Sequence, residues 1–155
     1  MTAIPPRYLA PGRVDRLTAR AFRRFVRLGV GVRGARELRV VGRTSGQVRS
    51  TVVNLLDVGG RRYLVAPRGT TDWVRNLRAA GGGELRLGRH AEQFQATEVA
   101  DEDKGPILRA YLERWAFEVG RFFEGLTGHS TPDQLAAHAG GFPVFTVTTT
   151  PARRA

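Results

Sequence analysis

Residues 36–66 read RELRVVGRTSGQVRSTVVNLLDVGGRRYLVA, and this stretch decides the fold. In 36–41, Leu38 and Val40 alternate with Glu37 and Arg39, the period of a strand with one apolar face. Residues 48–58 are rich in Val, Thr and Leu, which suit a pleated surface, and 61–66 form a third run of the same kind. The joints are short: a turn over Gly42–Gln47, then Gly59-Gly60. Helical crossovers between parallel strands take a dozen or more residues, so these joints read as hairpins.

Working outward, Thr71 or Asp72 can cap a short helix that stops at Gly81-Gly82-Gly83. Leu85 and Leu87 alternate with charges in a short strand, and 91–99 pairs with it as a hairpin. Asp101 reads as the N-cap of a longer helix, with Glu102 and Asp103 in its first turn and a stripe of Ile107, Leu108, Tyr111, Leu112, Trp115 and Val119. Residues 142–149 are a last strand of Phe, Val and Thr. Upstream, Val14, Leu17, Ala21, Phe25 and Leu28 make one face of a helix over 13–28, and Gly29 and Gly31 end it. Hairpins outnumber crossovers, so the expected fold is α+β: a largely antiparallel sheet curled toward a barrel, with packed helices. The organisation read from this is an extended arm over 1–12, a single domain over 13–150 and a basic tail over 151–155.

The 155 residues suit one domain, and no apolar run approaches the roughly 20 residues that cross a bilayer. No secretion signal is legible at the N-terminus, so the expected location is the cytoplasm. The absence of cysteine excludes disulfides, thiolate metal sites and a cysteine nucleophile. Net charge is +11, and of 25 basic residues only Lys104 is a lysine. Codon bias explains arginine in place of lysine but not the excess of bases over acids. From Arg7 to Arg49 twelve arginines face only Asp15 and Glu37. Such a field draws anions, whether phosphate ligands, nucleic acid or an acidic membrane surface.

Several familiar chemistries are not supported. Gly29, Gly31 and Gly34 match G-x-G-x-x-G, but they follow a helix and precede a strand, the reverse of a dinucleotide fingerprint. His90, His129 and His138 are too scattered for a metal motif. Ser45 lacks a nucleophile elbow, and Glu113 and Glu118 read as solvated helix charges. Aromatics interleaved with bases on a strand are absent, which disfavours nucleic acid. The helix over 13–28, with Arg16, Arg20, Arg23, Arg24 and Arg27 largely opposite its apolar face, leaves peripheral contact with the inner membrane face as an alternative. What remains points to chemistry carried by a cofactor.

Two segments concentrate anion-binding groups. Gly42-Arg43-Thr44-Ser45-Gly46-Gln47-Val48-Arg49 packs backbone donors, two hydroxyls and two guanidinium groups into one tight turn. Ala66-Pro67-Arg68-Gly69-Thr70-Thr71-Asp72-Trp73-Val74-Arg75-Asn76-Leu77 ends a strand, presents a base and opens a helix whose N-terminal donors favour an anion. In this order and spacing the segments resemble the deazaflavin-dependent nitroreductase family, from about Glu37 to Val99. Its signature is a G-R-x-S-G-x-x-R turn, a strand ending in Ala, a base-Gly pair and a Trp-x-x-Asn-Leu helix. Gly42, Arg43, Ser45, Gly46, Arg49, Ala66, Arg68, Gly69, Trp73, Asn76 and Leu77 stand in those places.

The resemblance implies a split β-barrel that binds reduced coenzyme F420 and passes a hydride to a small electron-poor acceptor such as a quinone, enone or nitroaromatic. It implies Arg43, Thr44, Ser45, Gly46 and Arg49 at the anionic tail and Arg68, beside Gly69, at the phosphate. Ala66, Pro67, Trp73 and Asn76 would border the ring or the loop beneath it. Many relatives carry lysine where this chain has Thr44. The tyrosines they use near substrate have no clear counterpart, and Phe122, Phe123 and His129 are the candidates for that pocket. FMN is the runner-up cofactor. A split-barrel protein that binds an apolar ligand or flavin without turnover is the competing class.

Overall fold

The computed structural model describes residues 8–9, 34–123 and 125–150. The expected helix over 13–28, with the membrane-contact reading it carried, lies outside these residues, as do most of the N-terminal arm and the tail over 151–155.

Six strands are described: β1 (Ala35–Val41), β2 (Val48–Val58), β3 (Arg61–Val65), β4 (Gly82–Leu87), β5 (His90–Glu98) and β6 (Val144–Thr149). They close into a barrel in the order β1-β2-β3-β6-β5-β4, and every pairing is antiparallel. Three α-helices accompany them: α1 (Asp72–Ala80), α2 (Gly105–Val119) and α3 (Pro132–His138). Among the described residues no helix is long and apolar enough to cross a membrane.

The strand period of two separates two cores. Leu38, Val40, Val53, Leu55, Leu64, Leu85, Phe94, Phe145 and Val147 fill the barrel, and Val74 and Leu77 of α1 join them, so α1 plugs one mouth. The opposite faces of β2 and β3 place Leu56, Tyr63 and Val65 against Leu108, Tyr111, Leu112 and Trp115 of α2 and Leu135 of α3. Phe123 and Phe142 stack in this second core, with centroids 4.3 Å apart.

Two helix termini and one whole helix differ from expectation. Asp101 does not cap α2: Asp101–Asp103 form a 3-10 turn, and α2 starts at Gly105 behind Lys104, with Pro106 setting its first turn. The Asp101 carboxylate is taken by the buried ammonium of Lys104, 2.6 Å away, which also donates to the Ala139 carbonyl at 3.1 Å. Thr71 occupies the N-cap position of α1, yet its hydroxyl caps nothing, and the Asp72 carboxylate turns to Arg43 instead. Helix α3 was not expected, although Thr131 and Gln134 form a complete capping box around Pro132.

Of the three glycines read as a helix stop, Gly81 alone ends α1, in the left-handed region at φ 73°. Gly82 and Gly83 open β4. A Cβ on Gly82 would sit 2.3 Å from the Phe94 carbonyl oxygen, and one on Gly83 2.6 Å from that of Arg39. These backbones meet where β4 closes the barrel, and neither can retreat without breaking its ladder. Gly82→Ala is therefore expected to cost about 1–3 kcal/mol, read as a lowered midpoint in urea unfolding.

Candidate functional site

The turn between β1 and β2 holds itself in shape before it binds anything else. The Gly42 amide donates to the Gln47 carbonyl at 2.7 Å and the Gly46 amide to the Gly42 carbonyl at 2.9 Å. The Ser45 hydroxyl accepts from the Gln47 amide at 3.2 Å. Gly46 sits at φ 69°. A Cβ on Gly42 would lie 2.9 Å from Ser45 Oγ and 3.6 Å from Arg49 Cγ, so the Arg49 stem crosses the buried floor of the turn. Pairing with Val40 places Arg49 on the barrel-facing side of β2, at the mouth that α1 plugs.

The second segment is built as a β-turn and a helix start. The Gly69 amide donates to the Ala66 carbonyl at 3.1 Å, with Pro67 second in the turn, where its fixed φ fits. Ala66 is buried, and its amide donates to the Pro143 carbonyl at 2.9 Å. In α1, Trp73 rests partly buried on Phe145, centroids 6.1 Å apart.

Asn76 joins the two segments. Its Oδ1 accepts from the backbone amide of Arg43 at 3.1 Å and from Arg43 Nη1 at 2.8 Å. Asn76 is 5% exposed while Arg43 is exposed, so a buried acceptor holds two part-buried donors at the edge of the turn. Arg43 Nη2 reaches Asp72 at a longer 3.4 Å. The guanidinium is thus oriented by two groups on α1. The sequence expectation set Asn76 at the ring or the loop beneath it; in the structure its amide oxygen anchors the β1–β2 turn.

Arg68 is engaged from two other directions. Its guanidinium lies 4.6 Å from the centroid of the Phe122 ring, and Nη1 donates to the Leu9 carbonyl at 3.3 Å. Leu9 returns a bond from its amide to the Arg68 carbonyl at 2.9 Å, and Tyr8 bridges to Gly69. Tyr8 (51% exposed) and Leu9 (37%) leave an apolar rim beside this loop. Tyr8 and Leu9 were not among the expected site residues, because a short arm carries no periodicity that assigns it a neighbour.

The charge here is unbalanced. Arg43, Arg49, Arg68 and Arg75 stand on the turn, the loop and the start of α1, while among the described residues of these segments Asp72 is the one carboxylate. The first turn of α1 leaves the N–H groups of Asp72, Trp73 and Val74 without intrahelical acceptors. Thr71 Oγ1 is buried at that terminus with no hydrogen-bond partner. An anion at the helix start fits the orphan hydroxyl, the free amides and the surplus of guanidinium groups together.

Two clefts open elsewhere, on the outer face of the barrel. One, of about 410 Å³, is lined by Glu37, Arg39, Arg86 and Gly88. The other, of about 240 Å³, includes Val41, Val48, Gly82 and Glu84. Their charges are already matched: Arg86 pairs with Glu84 at 2.5 Å, Arg39 with Glu84 at 3.5 Å, and Ser50 donates to Glu37 at 2.8 Å. Charge surplus, rather than concavity, therefore distinguishes the turn and the loop from these clefts.

The remaining expected residues do not gather at one place. Thr44 and Ser45 are exposed on the turn, and Phe122 is partly buried under Arg68. Phe123, expected at an acceptor pocket, is 0% exposed in the second core, which is where a stacked Phe pair gains most. His129 is exposed, and its amide donates to Thr127 Oγ1 at 3.1 Å.

Residues 14–119 match the family model for F420H(2)-dependent quinone reductases. No curated protein matches the chain. Among solved structures the chain is similar to a protein described as a domain-swapped dimer, at 17% identity and TM-score 0.54, covering 88% of this chain and 100% of that one. It is similar to an F420-H2 dependent reductase at 17% identity and TM-score 0.53, covering 76% and 100%. It is also similar to a NimC/NimA family protein from Clostridium acetobutylicum at 13% identity and TM-score 0.50, covering 88% of each. At these identities the structural likeness fixes the fold, a split β-barrel.

Proposed function

The chain belongs to the F420H(2)-dependent quinone reductase family and is an F420-dependent oxidoreductase; from that premise we propose that Arg43, Thr44, Ser45, Gly46, Arg49, Arg68 and Gly69 hold the phosphate and glutamate tail of F420. Ala66, Pro67 and Trp73 border the ring, and Asn76 supports the site through Arg43. The observation that carries this reading is the Asn76–Arg43 clamp, which joins the two arginine-bearing segments beside a helix start with an orphan hydroxyl.

When bound, reduced F420 supplies a hydride from its deazaflavin ring. The chain's own work is to bind, orient and exclude water, and none of this requires an acid–base side chain at the site. Three to four guanidinium–anion contacts at about 1.5–3 kcal/mol each supply about 4.5–12 kcal/mol, a range that brackets the ~8 kcal/mol of micromolar affinity. The partly buried Trp73 offers an edge against which a planar ring can rest. The acceptor is a quinone or a comparably small, electron-poor molecule such as an enone or nitroaromatic. It approaches over the apolar rim of Tyr8, Leu9 and Phe122, beside the Arg68 loop. FMN, with a shorter anionic tail, would engage fewer of the arginines.

Arg49→Ala is expected to weaken F420 by about 10-fold or more without changing the thermal midpoint, because Arg49 is exposed and bonds no other side chain among the described residues. Titration by deazaflavin fluorescence checks it. Parallel assays of reduced F420 oxidation with menadione, an enone and a nitroaromatic rank the acceptors. Binding without turnover on all three would transfer the chain to the non-catalytic class.

A further inference from the structure

The barrel has a second mouth, at the end away from α1, and it carries its own cluster of charge. Arg62 and Glu92 share the inward side of their strands with Leu64 and Phe94, and Thr149 shares it with Val147. Arg36 is inward on β1, two residues before Leu38. Arg62 pairs with Glu92 at 2.5 Å and also bonds Thr149 Oγ1, while the Thr149 hydroxyl donates to the other Glu92 oxygen at 3.4 Å. Arg114 reaches the same end from α2, stacked 4.7 Å over Trp115, with Nη2 3.6 Å from where a Cβ on Gly34 would stand.

Three guanidinium groups therefore share this mouth with one carboxylate, which Arg62 and Thr149 already occupy. Among the described residues Arg36 bonds only its neighbour's carbonyl, Nη1 donating to Ala35 O at 2.9 Å. Burial holds the Arg36 guanidinium below its ordinary value; Glu92 opposes that, and the proximity of Arg62 and Arg114 adds to it. Asp57, paired with Arg62 across β2 and β3, is exposed and accepts the Gly60 amide at 3.2 Å. Like charges held together at a partly desolvated barrel mouth are unfavourable unless an anion completes the set.

We propose that this mouth is a second anion site, distinct from the F420 site, which takes a phosphate group. Arg36, Arg62 and Arg114 against Glu92 leave a surplus of two positive charges, close to the ~2 negative charges of a phosphate monoester. Planar guanidinium forks from three directions suit a tetrahedral oxyanion better than a single carboxylate. The group arrives either on a free phosphate ligand or as a lipid headgroup.

Thermal melting in inorganic phosphate, against chloride at equal ionic strength, tests it with the full chain. Near saturation the midpoint should rise by about 2–4 °C. The rise should shrink in both Arg36→Gln and Arg114→Gln to the part that the anion site at the other barrel end supplies, and this mouth's share should persist in Arg49→Ala. Sedimentation with phosphatidylglycerol and with phosphatidylcholine vesicles separates the two sources. Binding to the anionic vesicles that Arg114→Gln abolishes assigns a headgroup, and a phosphate response without vesicle binding assigns a free ligand. The proposal is overturned if phosphate and anionic vesicles both leave the protein unaffected. It is equally overturned if neither Arg36→Gln nor Arg114→Gln alters the response, or if Arg49→Ala alone removes it.

Discussion

Replacing Asn76 by Ala is expected to lower F420 affinity by about 10- to 100-fold and stability by about 1–3 kcal/mol. The side chain is 5% exposed, and one oxygen accepts both the backbone amide and Nη1 of Arg43. Alanine removes the acceptor that two donors of Arg43 share and frees the turn that carries Ser45 and Arg49. Affinity falls because an anion must then order the turn as it binds, a cost the wild-type chain has met in folding. Asn76→Asp separates the two effects. A carboxylate keeps the acceptor and pairs with Arg43, so stability should hold, while the added negative charge neutralises the guanidinium and keeps binding weak. Urea unfolding and fluorescence titration on both variants check this. Unchanged affinity in Asn76→Ala would remove the clamp from the account.

Arg68→Ala is expected to reduce F420 affinity by about 10- to 100-fold with little change in stability. Its guanidinium stacks on Phe122 and bonds the Leu9 carbonyl, so it is pre-oriented at the loop between β3 and α1. Pre-orientation matters because a free arginine loses rotamer entropy when it captures an anion, and a stacked one loses less. Arg68→Lys should recover only a small part of the affinity, since an ammonium neither stacks as a plane nor offers a fork. Arg39→Ala, on the charge-matched outer face, is the control that should leave binding unchanged. Calorimetric titration of the three variants decides between a specific contact and a general loss of positive charge.

The barrel was legible because β1 and β4 alternate, β2 and β3 are rich in residues that suit a sheet, and the joints of β1, β2 and β3 are too short for crossovers. The two anion-binding segments were legible as types: glycines at a tight turn, hydroxyls and arginines at fixed spacing, then a helix start. Their contact was not, because Arg43 and Asn76 are 33 residues apart and nothing local in either segment names the other. The N-cap assignment at Asp101 failed because a carboxylate that can cap can also pair, and Lys104 Nζ at 2.6 Å captured it. Helix α3 carried a readable signal, the Thr131–Gln134 capping box with Pro132, in a stretch where its short apolar pattern gave no periodicity. Phe122 and Phe123 are adjacent in sequence, yet one lies against Arg68 and the other is wholly buried. Composition cannot separate them; only the direction of the chain after α2 does.

The most direct measurement compares the affinity of F420 with that of a 5-deazaflavin lacking the phosphate and glutamates, in wild type and in an Arg43→Ala/Arg49→Ala double variant. The account predicts that the tail contributes at least about 100-fold in wild type and only a small part of that in the double variant. Equal affinity of the two ligands for the wild-type protein would contradict it, since the arginines at the barrel mouth would then have no part in holding the cofactor.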